Sequence, residues 1–473
     1  MQNTIQSKIT NLFENTFKEK HTSIEQLPIS GSSRLYFRVK SNNRSVIGTY
    51  NTDKKENIAF LYLSKLFKKN GINVPKIYAE DIENNVYLQE DLGNETLFDR
   101  VQTLRKENDF PDEVTQLYKK AIEQLAELQI NGSKGLDYSA CYPREAFDNQ
   151  SIMWDLNYFK YDFLKFTDVQ FDEQLLEDDF TTFTNYLLEA NTDFFLFRDF
   201  KSLNIMVKEG EVYFIDYQGG RKGALQYDIA SILHEATANL TEDFRNELLD
   251  HYINYVGSLI SISKRVFTEQ YHAYTLIRIL QAMGTYGYRG LFERKQHYID
   301  SISFRLNSLE SLLKDVKILK KLPELKRILN QLPKSKKLKE IASDNKLKVT
   351  IKSFSFKRGW PYDKSGNGGG HVFDCRFIHN PGRIEEYKKM CGKDKPVIDF
   401  LENMYETHEF FSSIKQIVAA NVSRYQSRNF KNLAINFGCT GGQHRSVYFA
   451  EKTASFLKDN FNINIELIHT EGF

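Results

Sequence analysis

Apolar residues recur at Ile5, Ile9, Leu12, Phe13 and Phe17, a spacing that predicts an amphipathic helix over residues 5–19. Two alternating runs, 34–40 and 45–50, joined by the turn-forming Ser41-Asn42-Asn43, predict paired strands. A helix is expected from about Lys55 to Lys69, ended by Asn70-Gly71, and a further strand over 85–90. These elements make a small sheet with one helix. From Pro111 to about Leu312 the pattern is mostly helical, interrupted by a β-rich stretch at 194–217. Beyond residue 348, strand patterns at 348–354, 371–378 and 432–437 alternate with helices near 396–405, 408–422 and 447–461. That alternation predicts an α/β domain.

A chain of 473 residues exceeds the roughly 250–300 at which a single core stops growing, so two domains are expected. They are read as 1–312, with a first lobe over about 1–95 and a helical lobe over 96–312, and as 348–473. Between them, residues 314–348 hold twelve Lys/Arg against four Asp/Glu and are broken by Pro323 and Pro333. Residues 313–347 are therefore read as a basic linker, with an RNA or anionic-surface contact as the sharper alternative.

The overall net charge of +2 gives no global reason to expect nucleic acid or an acidic partner. The four cysteines include no C-x-x-C pair, which argues against a disulfide scaffold or a Cys-based zinc site and suits a reducing compartment. The N-terminus lacks the apolar core of a signal peptide, and no stretch approaches the roughly 20 apolar residues of a membrane span. A soluble, cytoplasmic protein without a membrane partner is expected.

Phosphoryl transfer needs a carboxylate to orient or deprotonate the acceptor hydroxyl, and hard oxygens to hold magnesium against ATP. In Phe197-Arg198-Asp199-Phe200-Lys201-Ser202-Leu203-Asn204, Asp199 and Asn204 stand five positions apart. Asp216 follows the apolar run 212–215. This is the kinase D-x-x-x-x-N spacing with a second Asp after a strand, so Asp199 is expected as base and Asn204 and Asp216 as metal ligands. Upstream, the small-residue turn Gly31-Ser32-Ser33 could let backbone N–H groups approach phosphates. Glu56 sits where a kinase places the carboxylate that steadies its phosphate-contacting lysine. Tyr87–Gly93, with Glu90, would form the crossing between lobes against which adenine binds.

On these residues, and on 36–39, 56–61, 90–93 and Tyr227-Asp228-Ile229-Ala230-Ser231, the chain resembles the aminoglycoside/choline phosphotransferase family, nearest to the kinases of N-acetylmuramate and N-acetylglucosamine. The resemblance implies an α+β, protein-kinase-like bilobal fold and an ATP- and Mg2+-dependent sugar kinase of cell-wall recycling. It also implies that Asp228 braces the catalytic loop. Two positions depart from the family. Phe197 stands where a histidine is usual, and the strand 45–50 has no lysine, for which Arg38, Lys40 or Lys54 could substitute. In the helical lobe, Trp154 and Asp155 are candidate groups for the sugar.

Near the C-terminus, Gly438-Cys439-Thr440-Gly441-Gly442-Gln443-His444-Arg445-Ser446 follows a predicted strand and opens a predicted helix, the arrangement of a phosphate cradle. The spacing from Cys439 to Arg445 is also that of cysteine phosphatases, whose thiolate attacks phosphorus. With 353–359, 373–377 and Asn380-Pro381, this run makes residues 348–473 resemble the C-terminal domain of the RapZ family of RNase adapters. That resemblance implies an amino-sugar-phosphate site, with Thr440, Gly441, His444 and Arg445 on the phosphate and Asp374 and Arg376 near the sugar. The expected function is an amino-sugar kinase coupled to a sugar-phosphate sensing module. The alternative is a non-catalytic nucleotide-binding regulator, or an RNase-adapter-like protein that binds RNA or an RNase.

Overall fold

The computed structural model describes residues 2–28, 34–105, 110–293, 295–344, 346–361, 370–428 and 430–471. Its chain divides into two compact units, residues 1–292 with 301–335, and residues 293–300 with 336–473.

The first unit opens with helix α1 (Gln2–Phe17) and a five-stranded antiparallel sheet of β1 (Ser23–Gln26), β2 (Leu35–Lys40), β3 (Ser45–Tyr50), β4 (Ile77–Asp81) and β5 (Val86–Glu90). The strand order is β1-β2-β3-β5-β4. The apolar stripe of α1 buries Ile5, Ile9 and Phe13 against Phe37, Val39, Val46, Val86 and Leu88 of the sheet. The approach is so close that a Cβ on Gly48 of β3 would lie 2.3 Å from the Ile9 Cγ2. Helix α2 (Lys54–Lys69) crosses between β3 and β4, its start fixed by the Asp53 side chain, which accepts from the N–H groups of Lys55 and Glu56.

The helical lobe comprises α3 (Leu97–Leu104), α4 (Asp112–Glu127), α5 (Asn149–Asp162), α6 (Glu173–Leu187), α7 (Gln226–Leu233), α8 (Glu242–Leu259), α9 (Lys264–Tyr286), α10 (Gln296–Asp315) and α11 (Pro323–Gln331). Two short ribbons interrupt it: β6 (Phe194–Leu196) pairs with β9 (Arg221–Gly223), and β7 (Ile205–Lys208) with β8 (Glu211–Phe214). The ribbons carry Asp199 and Asp216 between them. One continuous core joins α2 to this lobe, including Phe60, Phe67, Phe197, Phe200, Phe214 and Tyr217. The segment read as a basic linker is partly packed here instead: Leu322, Leu325, Ile328, Leu329 and Leu332 are fully buried, and α11 lies on α6. The apolar spacing of Leu319, Leu322, Leu325, Ile328 and Leu329 suggests a short helix in the sequence, and the structure adds that this stripe is packed rather than solvated.

The second unit adds α12 (Lys336–Asp344), β10 (Lys348–Ser355), β11 (His371–Asp374), α13 (Lys395–Glu402), α14 (Tyr405–Ser427), β12 (Asn432–Cys439), α15 (Arg445–Asn460) and β13 (Asn464–His469). Its sheet is parallel throughout, in the order β11-β12-β10-β13. Parallel neighbours need crossovers, which is why strands alternate with helices in the sequence. The fold is thus a protein-kinase-like α+β unit followed by a parallel-sheet α/β domain. Among the described residues, no helix is long and apolar enough to cross a membrane.

Candidate functional site

The loop that carries Asp199 is held from behind. Asp228, fully buried on α7, accepts the backbone N–H groups of Phe197 at 2.7 Å and Arg198 at 3.0 Å, and the Gln129 amide at 3.0 Å. Burial pushes its carboxyl up to about 7. Arg198 adopts a left-handed backbone, φ +83°, which costs a non-glycine residue on the order of 1 kcal/mol and persists only where its surroundings enforce it. The enforcement comes from Asp155, which receives two guanidinium hydrogen bonds at 2.6 and 2.8 Å.

This turn presents Asp199 to the cleft. The Lys201 ammonium lies 2.8 Å from its Oδ2. Burial would push the Asp199 carboxyl up, and the charges of Lys201, Arg278 and Arg198 together hold it below its usual value. Asp199 is therefore ionised at neutral pH. Asn204 donates from Nδ2 to the Asp199 carbonyl at 2.9 Å and reaches the Asp216 carboxylate at 3.4 Å. Asp216, with φ +67°, is tied to the same loop by the Ile215 N–H, which donates to the Asn204 carbonyl at 3.0 Å. Its Oδ1 accepts from Gln218 at 2.8 Å, and burial raises its carboxyl. Asp199, Asn204 and Asp216 therefore converge.

A cation that composition and strand register did not single out faces this group. Arg34, its side chain 2% exposed, lies 2.7 Å from Glu56 and 3.4 Å from Asp216. Asn51 holds the other Glu56 oxygen at 2.7 Å. Of the substitutes expected for the strand lysine, Arg38 is consumed by a bidentate pair with Asp91 at 2.7 and 2.9 Å. Lys54 pairs with exposed Glu83, and Lys40 is exposed at the end of β2. The structure thus corrects Arg38 from a nucleotide contact to a brace of the crossing between lobes. Glu90, at that crossing, pairs with Lys208 of β7 at 3.1 Å. Gly31, Ser32 and Ser33 lie outside the described residues.

Phe197 has a physical reason. Its ring meets Phe200, Phe214 and Tyr217 edge-on, and Tyr217 stacks on Phe60 of α2 at 5.2 Å. An unbroken apolar column runs from α2 past Asp216 to the loop of Asp199, where a histidine would need a polar partner. Asp155 and Trp154 part ways: Asp155 is buried and spent on Arg198, a correction to its reading as a sugar contact. Trp154 is 49% exposed beneath the Arg144 guanidinium. Lys201, Arg34 and Gln218 were missed in the sequence. Lys201 alone carried a local signal, standing two residues after the base.

In the C-terminal unit, β12 runs into the loop 440–444 and α15 begins at Arg445. Gly442 has φ +71°, and a Cβ there would lie 2.9 Å from the Ser355 N. Thr440 and Gly441 are exposed, with the first-turn N–H groups of α15 following them. The side chains differ from expectation. Arg445 is buried and donates to the carbonyls of Arg376 at 2.8 Å and Ile378 at 2.6 Å. His444 sits 2.8 Å from the Tyr387 carbonyl. Both are engaged with backbone carbonyls and shape the loop from inside. Asp374 and Arg376 form an exposed ion pair, with Arg376 over the Phe356 ring at 4.2 Å. Cys439 has its Sγ 3.2 Å from the Ser446 Oγ and is only 2% exposed, and that burial keeps the sulfur from the open side of the loop.

Comparison with known proteins agrees with this division. The model of the phosphotransferase enzyme family matches residues 23–259, and that of the RapZ C-terminal domain matches residues 347–472. A nucleotide-binding protein of Thermosipho africanus is 37% identical over 171 residues, covering 34% of this chain and 60% of that protein. One of Glaesserella parasuis is 40% identical over 127 residues, covering 26% of this chain and 43% of that protein. The chain spans about half the length of the curated relatives it matches. Among solved structures, a choline kinase of Streptococcus pneumoniae is similar at 16% identity and TM-score 0.39, over 67% of this chain and 98% of that one. A choline kinase of Cryptosporidium parvum is similar at 15% identity and TM-score 0.45, over 70% of this chain and 99% of that one. The chain belongs to the phosphotransferase enzyme family and carries a RapZ C-terminal domain behind it.

Proposed function

We propose that the first unit transfers phosphate from ATP to a hydroxyl of an amino sugar, of the N-acetylmuramate or N-acetylglucosamine type handled in cell-wall recycling. The second unit binds an amino-sugar phosphate. The observation that carries the reading is the convergence of Asp199, Asn204 and Asp216 opposite the buried Arg34–Glu56 pair.

Asp199, ionised beside Lys201, accepts the proton of the attacking hydroxyl and points its oxygen at the terminal phosphorus. Lys201 and Arg34 put two positive charges beside the phosphate being transferred. The donor set suits Mg2+: Asn204 and Asp216 offer hard oxygens, and the Asn204 amide, donating from its nitrogen to the loop, leaves Oδ1 as an acceptor. When bound, the ion would neutralise charge on the nucleotide phosphates. Gly31–Ser33 would cover those phosphates, and the crossing around Glu90 would receive the adenine. In the second unit, the exposed backbone of Thr440 and Gly441 and the N-terminus of α15 would take the sugar phosphate, with Asp374 and Arg376 at its rim.

The test is ATP turnover by the purified chain over a panel of amino sugars, with the product identified by NMR. Sugar-dependent ADP release that is lost in Asp199→Asn supports the reading. Turnover indifferent to every sugar offered, or undiminished in that variant, defeats it.

A further inference from the structure

Asp216 has two carboxylate oxygens, and the fold treats them differently. Oδ1 accepts from the Gln218 amide at 2.8 Å and faces the Arg34 guanidinium at 3.4 Å. Oδ2 has only the long contact from Asn204, at 3.4 Å, among the described residues. One oxygen is thus occupied from within the protein, and the other remains available.

A carboxylate offers no proton, so the Gln218 amide turns its nitrogen toward Asp216. That orientation leaves the Gln218 Oε1 buried without a hydrogen-bond partner among the described residues. A buried orphan acceptor costs about 1–3 kcal/mol, which an apolar side chain of the same length would avoid. Packing alone therefore does not account for the amide; what it contributes is the hydrogen bond to Asp216.

The turn that carries Gln218 is fixed at both ends. Tyr217, fully buried, shares a hydrogen bond of 2.6 Å with Ser64 of α2. The Gly220 N–H donates to the Tyr217 carbonyl at 2.9 Å, and the Arg221 guanidinium donates to the Gly219 carbonyl at 3.0 and 3.1 Å. A Cβ on Gly220 would lie 2.1 Å from the Phe195 ring, so β6 closes the turn on that side. Gln218 itself is 8% exposed.

We propose that Gln218 is a positioning residue that presets Asp216 to ligate its ion through Oδ2 alone, and so favours Mg2+ over Ca2+. This deepens the kinase reading and rests on Asp216 as an ion ligand. Mg2+ demands strict octahedral geometry, whereas Ca2+ accepts both oxygens of one carboxylate and up to about eight donors. A carboxylate at 218 would replace the amide donor by further hard oxygens of the kind Ca2+ uses.

The test measures ion affinity directly, without turnover. The full chain is loaded with a non-hydrolysable ATP analogue and Mn2+, read by electron paramagnetic resonance, and Mg2+ or Ca2+ is titrated as competitor. Ion binding by the analogue alone is subtracted. Variants are Gln218→Met, which keeps the length and removes the donor, and Gln218→Glu. Thermal unfolding without ions establishes that each is folded, and either folded variant carries the comparison. The parent should prefer Mg2+. The ratio of Ca2+ to Mg2+ affinity should rise about 10-fold or more in the variants, the usual scale for losing the partner of a ligand. In transfer assays, Gln218→Met should lower kcat at saturating Mg2+ and ATP by about 10-fold, with the KM of the sugar within about threefold. A parent that prefers Ca2+, or a ratio unchanged in the variants, overturns the role of Gln218 and leaves the kinase reading standing. A parent that binds no divalent ion beside the analogue overturns both. A shifted ratio without transfer to any sugar supports Gln218 and defeats the kinase.

Discussion

The Arg34 guanidinium bridges the Glu56 carboxylate at 2.7 Å and the Asp216 carboxylate at 3.4 Å, with only 2% of its side chain exposed. One side chain thus ties helix α2 to the metal-ligand candidate across the cleft. In the proposed kinase reading, it takes the place of the strand lysine that pairs with the phosphates.

Arg34→Ala should lower kcat/KM for ATP by about 100-fold or more, the usual loss when one stabilising donor is removed. Arg34→Lys should recover part of it. Lys54→Ala should leave steady-state kinetics within about twofold, because its pair with Glu83 is exposed. A large loss in Lys54→Ala with none in Arg34→Ala would reverse the assignment.

Arg38→Ala should act on stability. Its pair with Asp91 has side chains 10% and 11% exposed, so truncation strands a carboxylate. A loss of about 3 kcal/mol is expected in urea unfolding of the first unit. An unchanged midpoint would show the pair to be dispensable.

The rate should depend on Lys201 through Asp199. Removing the ammonium leaves burial opposed only by the charges of Arg278 and Arg198, so the Asp199 pKa rises in Lys201→Met. The acid limb of the pH–rate profile should therefore move to higher pH than in the parent chain. A limb that stays in place would separate Asp199 from the titration.

Asp228 sets a different pH dependence. Its folded value, about 7, lies above the unfolded carboxyl value of about 3.9, so the folded state binds more protons between the two. Stability from this group is greatest below the unfolded value and is lost as pH rises through about 7. Denaturation at pH 5 and pH 8 should show the parent gaining on Asp228→Asn toward the acid side. Parallel curves would show that the carboxyl does not titrate in that window.

In the second unit, Gly442→Ala should strain the loop, since φ is +71° and the Ser355 N is 2.9 Å from the new Cβ. Gly441→Ala meets nothing within 4 Å and should be tolerated. Thermal unfolding of the full chain, with and without an amino-sugar phosphate, compares them. Equal melting and equal ligand response in both variants would remove the loop from the site.

The chemistry carried on one short segment was legible in the chain. Asp199 and Asn204 lie five positions apart on a single loop, so local geometry fixes their relation whatever surrounds them. The same holds for the run from Cys439 to Ser446, where a strand must turn into a helix over two glycines, and for the amphipathic stripe of α1. Contacts between distant segments were legible only where the family resemblance supplied them, as for Asp228 behind the catalytic loop. Arg34 meets Asp216 across 182 positions, and Asp155 meets Arg198 across 43. Which guanidinium faces the cleft and which is spent as a brace depends on packing that no residue spacing encodes. Arg38, Arg34, Arg445 and Arg221 carry the same group in the sequence. Only burial and the nearest carboxylate or carbonyl, fixed when the core closed, gave each its separate part.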